Sequence, residues 1–223
     1  KAVVFDEQGR ELVQAYREYP LLHPQAEWSE LDTMTIWSAM KEVLGNIAQI
    51  IGTSDPPQAI SVSCQGEAVA PIDKEGQALY NFSVSFDNRT LPQYHWWLEH
   101  VGKEKIFQIT GMPLHPMHSI NKMMWFQENR PDIFEKTWKF LCVEDYAIFQ
   151  LSGELAIDYS LAARTMAFDI QALEWSDEIL RTANIDRDLL SVPYSSGTAV
   201  GLIKPKLAQE LSLPTHTKIV TGG

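Results

Sequence analysis

The chain has 223 residues, 45% hydrophobic and 21% charged, enough to bury a sizeable core in one large domain or two small ones. Its 29 acidic residues outnumber 18 basic ones, and a net charge of −11 argues against binding along a nucleic-acid duplex. Two distant cysteines, Cys64 and Cys142, imply no disulfide framework and point to a reducing, cytoplasmic setting. No apolar run nears the ~18–20 residues of a membrane span, and Lys1–Asp6 lacks signal-peptide architecture.

Ala2–Phe5 and Glu11–Tyr19 read as a β-hairpin turning at Asp6–Arg10. A hairpin strand at residue 1 without a lead-in predicts that an earlier neighbouring strand is missing; trimming within loops is the alternative. Trp28–Gly52 carries apolar residues at spacings of three and four (Trp28, Leu31, Met34, Trp37, Met40, Val43, Leu44, Ile47, Ile51), which predict an amphipathic helix ended by Gly52–Pro57. Ala59–Cys64 reads as a buried strand, and Val69–Asp73 with Leu79–Ser85 as a hairpin around Lys74–Gln77. Leu91–Val101 is a predicted helix and Gly111–Met117 a proline-rich loop. Ser119–Glu128 and Pro131–Thr137 are helical, Trp138–Val143 a strand, and Glu144–Leu151 a helix closed by Ser152-Gly153. Lys218–Val220 reads as a buried strand entering Gly222-Gly223. The alternation predicts one α/β domain with inserted β-hairpins and helices.

No Walker A loop, dinucleotide-binding glycine fingerprint, nucleophile elbow or zinc-protease motif is present. His115 and His118 stand three apart on the proline loop without a carboxylate or cysteine partner, so a polar-loop or small-ligand contact is favoured over a metal. Three polar clusters follow apolar strands or small-residue runs: Ser63–Glu67, Phe86–Arg89 and Asp158–Thr165. At the carboxyl end of a strand the first would line a ligand crevice, with amide and carboxylate groups suited to hydroxyls. In the second, Asp87 or Asn88 could equally cap the helix at Leu91.

The order of these segments resembles the N-terminal domain of the FGGY family of carbohydrate kinases, the group containing glycerol kinase, xylulokinase and gluconokinase. Lys1–Asp6 is similar to the second strand of the family's opening hairpin. His23–Glu30 with Trp37 resembles its Pro-x-x-Gly-Trp-x-Glu segment, and Ser61–Gln65 the strand entering its sugar-contacting loop. Ser85–Thr90 is similar to the family's Trp-x-Asp-x-Arg element, and Thr110–Met117 with Lys122 and Trp125 resembles the gluconokinase branch. Trp138–Tyr146, Leu151–Glu154, Asp158–Thr165 and Phe168-Asp169 follow in family order, and Ile219–Gly223 resembles the strand before the catalytic aspartate.

The resemblance implies an actin-like, ribonuclease H-like ATPase domain, the first of two in a hinged kinase that moves the γ-phosphoryl of MgATP to a sugar or polyol hydroxyl. It implies that residues 1–223 are a single sugar-binding domain cut at both ends. The phosphate-approaching turn would precede Lys1, the basic aspartate would follow Gly223, and a C-terminal domain would bind most of the nucleotide. By family position, Gln65, Gly66, Glu67, Asp87, Arg89, Met117 and His118 would contact substrate, and Gly222 and Gly223 would border nucleotide and hinge. No catalytic residue or metal ligand is expected within the chain. Gly66, where relatives carry a large side chain, would leave room for a longer substrate or let backbone approach it. Arg89 and Arg164 each admit two readings, ligand contact or structural ion pair. The acceptor would be a small open-chain sugar, polyol or aldonate, xylulose- or gluconate-like: Glu67 would repel an aldonate carboxylate, whereas the arginines or histidines could pair with one. Partners would be this substrate and the C-terminal kinase domain, with a homodimer open and neither nucleic acid nor membrane. A non-catalytic sugar-binding regulator on the same scaffold is the alternative. A first domain of this kind should carry the Gln65 loop, Asp87–Arg89 and Gly223 along one open edge of its sheet.

Overall fold

The computed structural model describes residues 1–52 and 55–223. In chain order the elements are β1 (Ala2–Phe5), β2 (Glu11–Ala15), β3 (Glu30–Leu31), α1 (Thr33–Ile51), β4 (Ala59–Ser61), β5 (Val69–Ile72), β6 (Phe82–Ser83), α2 (Leu91–His100), α3 (Lys103–Thr110), α4 (Ser119–Asn129) and α5 (Pro131–Phe134). They continue with β7 (Lys139–Cys142), α6 (Val143–Ser152), β8 (Ala156–Asp158), α7 (Tyr159–Arg164), β9 (Phe168–Asp169), β10 (Glu174–Trp175), α8 (Asp177–Ala183), β11 (Val192–Tyr194), β12 (Ala199–Leu202), α9 (Pro205–Leu211) and β13 (Lys218–Val220). Among the described residues no helix is long and apolar enough to cross a membrane.

The first hairpin forms as expected, with Asp6 Oδ1 accepting the Gln8 and Arg10 amides to close its turn. The long helix starts later than its periodicity suggests. Asp32 caps it by accepting the Thr35 amide at 2.6 Å, and Glu30–Leu31 before it pairs with β6 instead. Ile36, Ala39, Val43 and Ile47 form its buried stripe, whereas Met34, expected inside, is 53% exposed. Gly52, at φ 71°, follows the last turn; residues 53 and 54 of the expected Gly52–Pro57 terminator lie outside the described residues.

Two sheets organise the chain. One runs β3-β6-β5-β7, all antiparallel, and the other β12-β13-β4, in which β13 is antiparallel to β12 but parallel to β4. Helix α6 lies between cores: Tyr146 packs with Phe82 and the β5–β6 strands, and Ile148 and Leu151 pack with α9 and Ile219 of β13. A third apolar cluster gathers α4, α7, α8 and the Phe168–Trp175 ribbon.

Strand β4 is shorter than expected and not buried: its side chains alternate between faces, and among the described residues one edge has no strand partner. That edge and the outer edge of β1 line one apolar groove of about 360 Å³, floored by Trp37, Met40 and Leu44 of α1. Replacing Asp32 with alanine should cost about 1 kcal/mol of stability by removing the α1 cap. Urea denaturation reads this directly, and an unchanged midpoint would mean the cap contributes nothing.

Candidate functional site

The Gln65 loop leaves the carboxyl end of β4 and returns as β5. Its Glu67 side chain is 3% exposed, and Ser85 Oγ lies 3.1 Å from Glu67 Oε2 and 3.3 Å from Gln65 Oε1. The loop backbone is fixed from α4: Lys122 Nζ donates to the Glu67 carbonyl at 2.6 Å, and Ser119 Oγ donates to the same oxygen at 3.0 Å. Lys122 is fully buried, and desolvation pulls its pKa down to about 7 against the opposing pull of Asp87. Cys64 beside the loop is a free thiol that burial pushes up to about 12, so it is inert as a nucleophile.

Asp87 and Arg89 come together as a sealed network. Arg89 donates from Nε and Nη2 to the two Asp87 oxygens, each at 2.8 Å, and from Nη2 to Glu30 Oε1 at 2.6 Å. Asp87 also accepts the Ser29 and Arg89 amides, so it is not the cap of α2, which begins after Thr90 without a side-chain cap. The guanidinium carbon sits 3.8 Å from the centre of the Trp28 ring and 4.9 Å from that of Trp125. Both side chains are closed to solvent and are paired with each other and with Glu30. The structural ion-pair reading of Arg89 describes this geometry.

His118 is likewise enclosed. Its Nδ1 lies 2.9 Å from the Arg164 carbonyl and its Nε2 2.9 Å from the Pro113 carbonyl, so the ring ties the proline loop to α7. Burial lowers its pKa although both carbonyls favour the protonated ring. Met117 beside it is half-buried. His115 points elsewhere, accepting the Met117 amide, and the two histidines do not converge on one point.

Gly66 differs from expectation. A Cβ there would lie 2.6 Å from Arg164 Cγ and 2.7 Å from its Cβ, so the space left by the missing side chain is filled by the arginine stem and not free for substrate. The Arg164 guanidinium is paired with Glu67 Oε1, and the Arg164 side chain as a whole is 41% exposed.

At the other side of the same sheet end, β13 runs into Gly222-Gly223. A Cβ at Gly222 would press on Ser61 Oγ, and one at Gly223 on Ser160 Oγ, so a larger residue at either position would have to turn a serine aside. Glu144, at the start of α6, accepts the Gly222 amide at 2.9 Å and the Asp158 amide at 2.8 Å. Desolvation raises its pKa to about 7, assisted by the Asp158 charge and resisted by the two amides. Asp158 in turn caps α7 by accepting the Ser160 amide.

Parallel pairing of Val220 with Ser61 brings both loops out at one end of the sheet. Helix α7 then spans them: Ser160 faces Gly223, and Arg164, four residues and about 6 Å of helix rise further on, covers Gly66. The expected open edge therefore holds for the Gln65 loop and Gly223, whereas the Asp87 and Arg89 side chains are closed to solvent. Sequence reasoning passed over Glu30, placed in the helix, and the roles of Lys122, Ser85 and Glu144. A lysine between Ile120 and Met123, in a stretch otherwise fit for burial, was the available signal for Lys122.

This is the actin-like ATPase architecture, and the match is to one group within it. The profile of the FGGY family of carbohydrate kinases, N-terminal domain, covers residues 1–223, and the chain belongs to that family. It is 28% identical to the xylulose kinase and 30% identical to the gluconokinase of Bacillus subtilis (strain 168), each alignment taking in 100% of this chain but 45% and 43% of the relative. The crystal structure of gluconate kinase from Lactobacillus acidophilus superposes with a TM-score of 0.92 at 26% identity, over 99% of this chain and 44% of that one. The chain thus spans under half the length of these relatives.

Breaking the Arg89 network by Arg89→Ala should cost about 3–5 kcal/mol, because two buried carboxylates lose their partner. A loss below 1 kcal/mol in urea denaturation would show the network to be dispensable. Glu144 gives a pH signature. Its folded pKa of about 7 lies above the usual carboxylate value of about 4.5, so its contribution is present below pH 4.5 and lost as pH rises through 7. Stability of Glu144→Gln relative to the native chain should therefore improve between pH 4.5 and 7, by at most about 3 kcal/mol. Parallel pH profiles would refute the assignment.

Proposed function

We propose that the protein carrying this chain is an ATP-dependent carbohydrate kinase, and that residues 1–223 form one domain supplying its sugar-binding half. The acceptor is a hydroxyl of a small open-chain sugar, polyol or aldonate, xylulose- or gluconate-like. The observation that carries this reading is the parallel β4–β13 pair, which sets the Gln65–Glu67 loop beside Gly222-Gly223 at one sheet end. An acceptor held by the first would lie within reach of groups following the second.

In this reading Gln65 and Glu67 accept hydroxyl protons of the substrate, while Ser85, Ser119 and Lys122 hold the loop that presents them. Met117 lends an apolar wall. Asp87 and Arg89 fix the loop after β6. Glu144 holds the Gly222 amide, and so the direction in which the chain leaves β13 toward an aspartate that serves as base. MgATP, when bound, supplies the phosphoryl group and the counter-charge to it. The glycine pair suits close approach of a phosphate because no side chain intervenes, but its Gly222 amide is already taken by Glu144. Among the described residues no group of three His, Cys, Asp or Glu side chains is placed to hold a metal ion. In this reading a C-terminal domain holds the nucleotide and its magnesium, and its closure excludes water from the transfer.

The purified 223-residue chain should consume no ATP with any sugar, lacking a base worth roughly 10²–10⁴-fold and a nucleotide site. The protein as its gene encodes it should consume ATP with at least one open-chain sugar. Turnover by the short chain alone would place the active site elsewhere. In the longer protein, Glu67→Ala should weaken sugar binding about tenfold or more by calorimetry, the worth of a hydrogen bond to a charged group.

A further inference from the structure

Arg164 lies against the Gln65–Glu67 loop, and the other two cations near it are enclosed. Arg89 is spent on Asp87 and Glu30, and Lys122 is sealed against the Glu67 carbonyl. Arg164 alone meets solvent, 41% exposed, with one guanidinium nitrogen paired to Glu67 Oε1. It is held in place at three points. Its stem lies against Gly66, where a Cβ would come within 2.6 Å, its carbonyl faces His118, and its head is drawn to Glu67.

Guanidinium carries five N–H donors, so an Arg164 paired through one nitrogen still presents several to a ligand. Hydroxyls can take these donors without disturbing the ion pair. A carboxylate would compete with Glu67 for the same charge, and winning would strand a carboxylate that is 3% exposed. We propose that Arg164 is a specificity-determining residue of the sugar site, and that its pairing with Glu67 selects an uncharged open-chain sugar or polyol over an aldonate. Gly66 is the relief that admits it. The proposal rests on the kinase reading for the location of the site, and it narrows the acceptor to one chemical class.

The test is calorimetry on the protein as its gene encodes it, with two matched pairs: sorbitol against gluconate and xylitol against xylonate. Within each pair a hydroxymethyl group replaces the carboxylate. The polyol should bind at least tenfold more tightly in one pair or both. Glu67→Gln, which keeps shape but frees the Arg164 charge, should shift that ratio toward the aldonate by about tenfold. Arg164→Ala should weaken polyol binding by about tenfold or more, and Arg164→Lys, keeping the charge, should retain the order of preference. Tighter binding of the aldonate by the native protein, a ratio unmoved by Glu67→Gln, or no binding of any of the four compounds would each overturn the proposal. A lowered melting temperature with an unchanged ratio in the Arg164 variants would do so too, since it assigns the residue to structure alone. ATP consumption with xylulose and with gluconate, followed in parallel, isolates the kinase reading: its absence alongside the expected binding order would refute phosphoryl transfer and leave the selectivity standing.

Discussion

A guanidinium with its charge fully enclosed is the constraint on which this domain is built. Taking an arginine out of water costs several kcal/mol, and the cost is met only if partners of opposite sign and good geometry are already in place. Arg89 therefore requires Asp87 beside it in sequence and Glu30 from 59 residues away, and it requires Trp28 and Trp125 to cover its faces. Those demands fix the approach of the segment before α1, the loop after β6 and helix α4. Once α4 is fixed, Ser119 and Lys122 are placed to clamp the Glu67 carbonyl. The Gln65–Glu67 loop is thus held by a chain of polar contacts that begins at the enclosed Arg89 charge.

That chain explains why the sequence told some things well and others badly. Hairpins and helices with clear periodicity or turn chemistry were legible: the Asp6–Arg10 turn, α2, α4, and α6 with its Gly153 stop all stand close to where the pattern puts them. Helix α1 was overextended because Trp28 and Leu31 fit its apolar spacing, although a tertiary demand, Glu30 for Arg89, draws that stretch into β3. Helix α7 left no periodic signal in six residues, so the one element that joins the two halves of the site went unread. Asp87 and Arg89 were visible as a polar cluster, but nothing local distinguishes a charge aimed at a ligand from one aimed at a buried partner. Burial decides that, and burial is a property of the whole fold.

The same logic separates the two carboxylates nearest the sheet end. Glu67 is paired with the half-exposed Arg164, whereas Glu144 has only backbone amides and is pushed up by burial. One is suited to meeting a polar ligand and the other to holding backbone. Glu67 sits on the loop after β4 and Glu144 in the first turn of α6, so the two tasks fall to different elements.

The β1–β2 hairpin stands apart from this network. Among the described residues its strands pair only with one another, it packs chiefly on α1, and Phe5 and Leu12 on it are more than half exposed. A two-stranded ribbon with so little apolar cover opens at a far lower free energy than the helices around Phe126 or Ile148. Amide protons of Ala2–Ala15 should therefore exchange with solvent faster than those of the helices around Phe126 and Ile148, through openings that leave those helices folded.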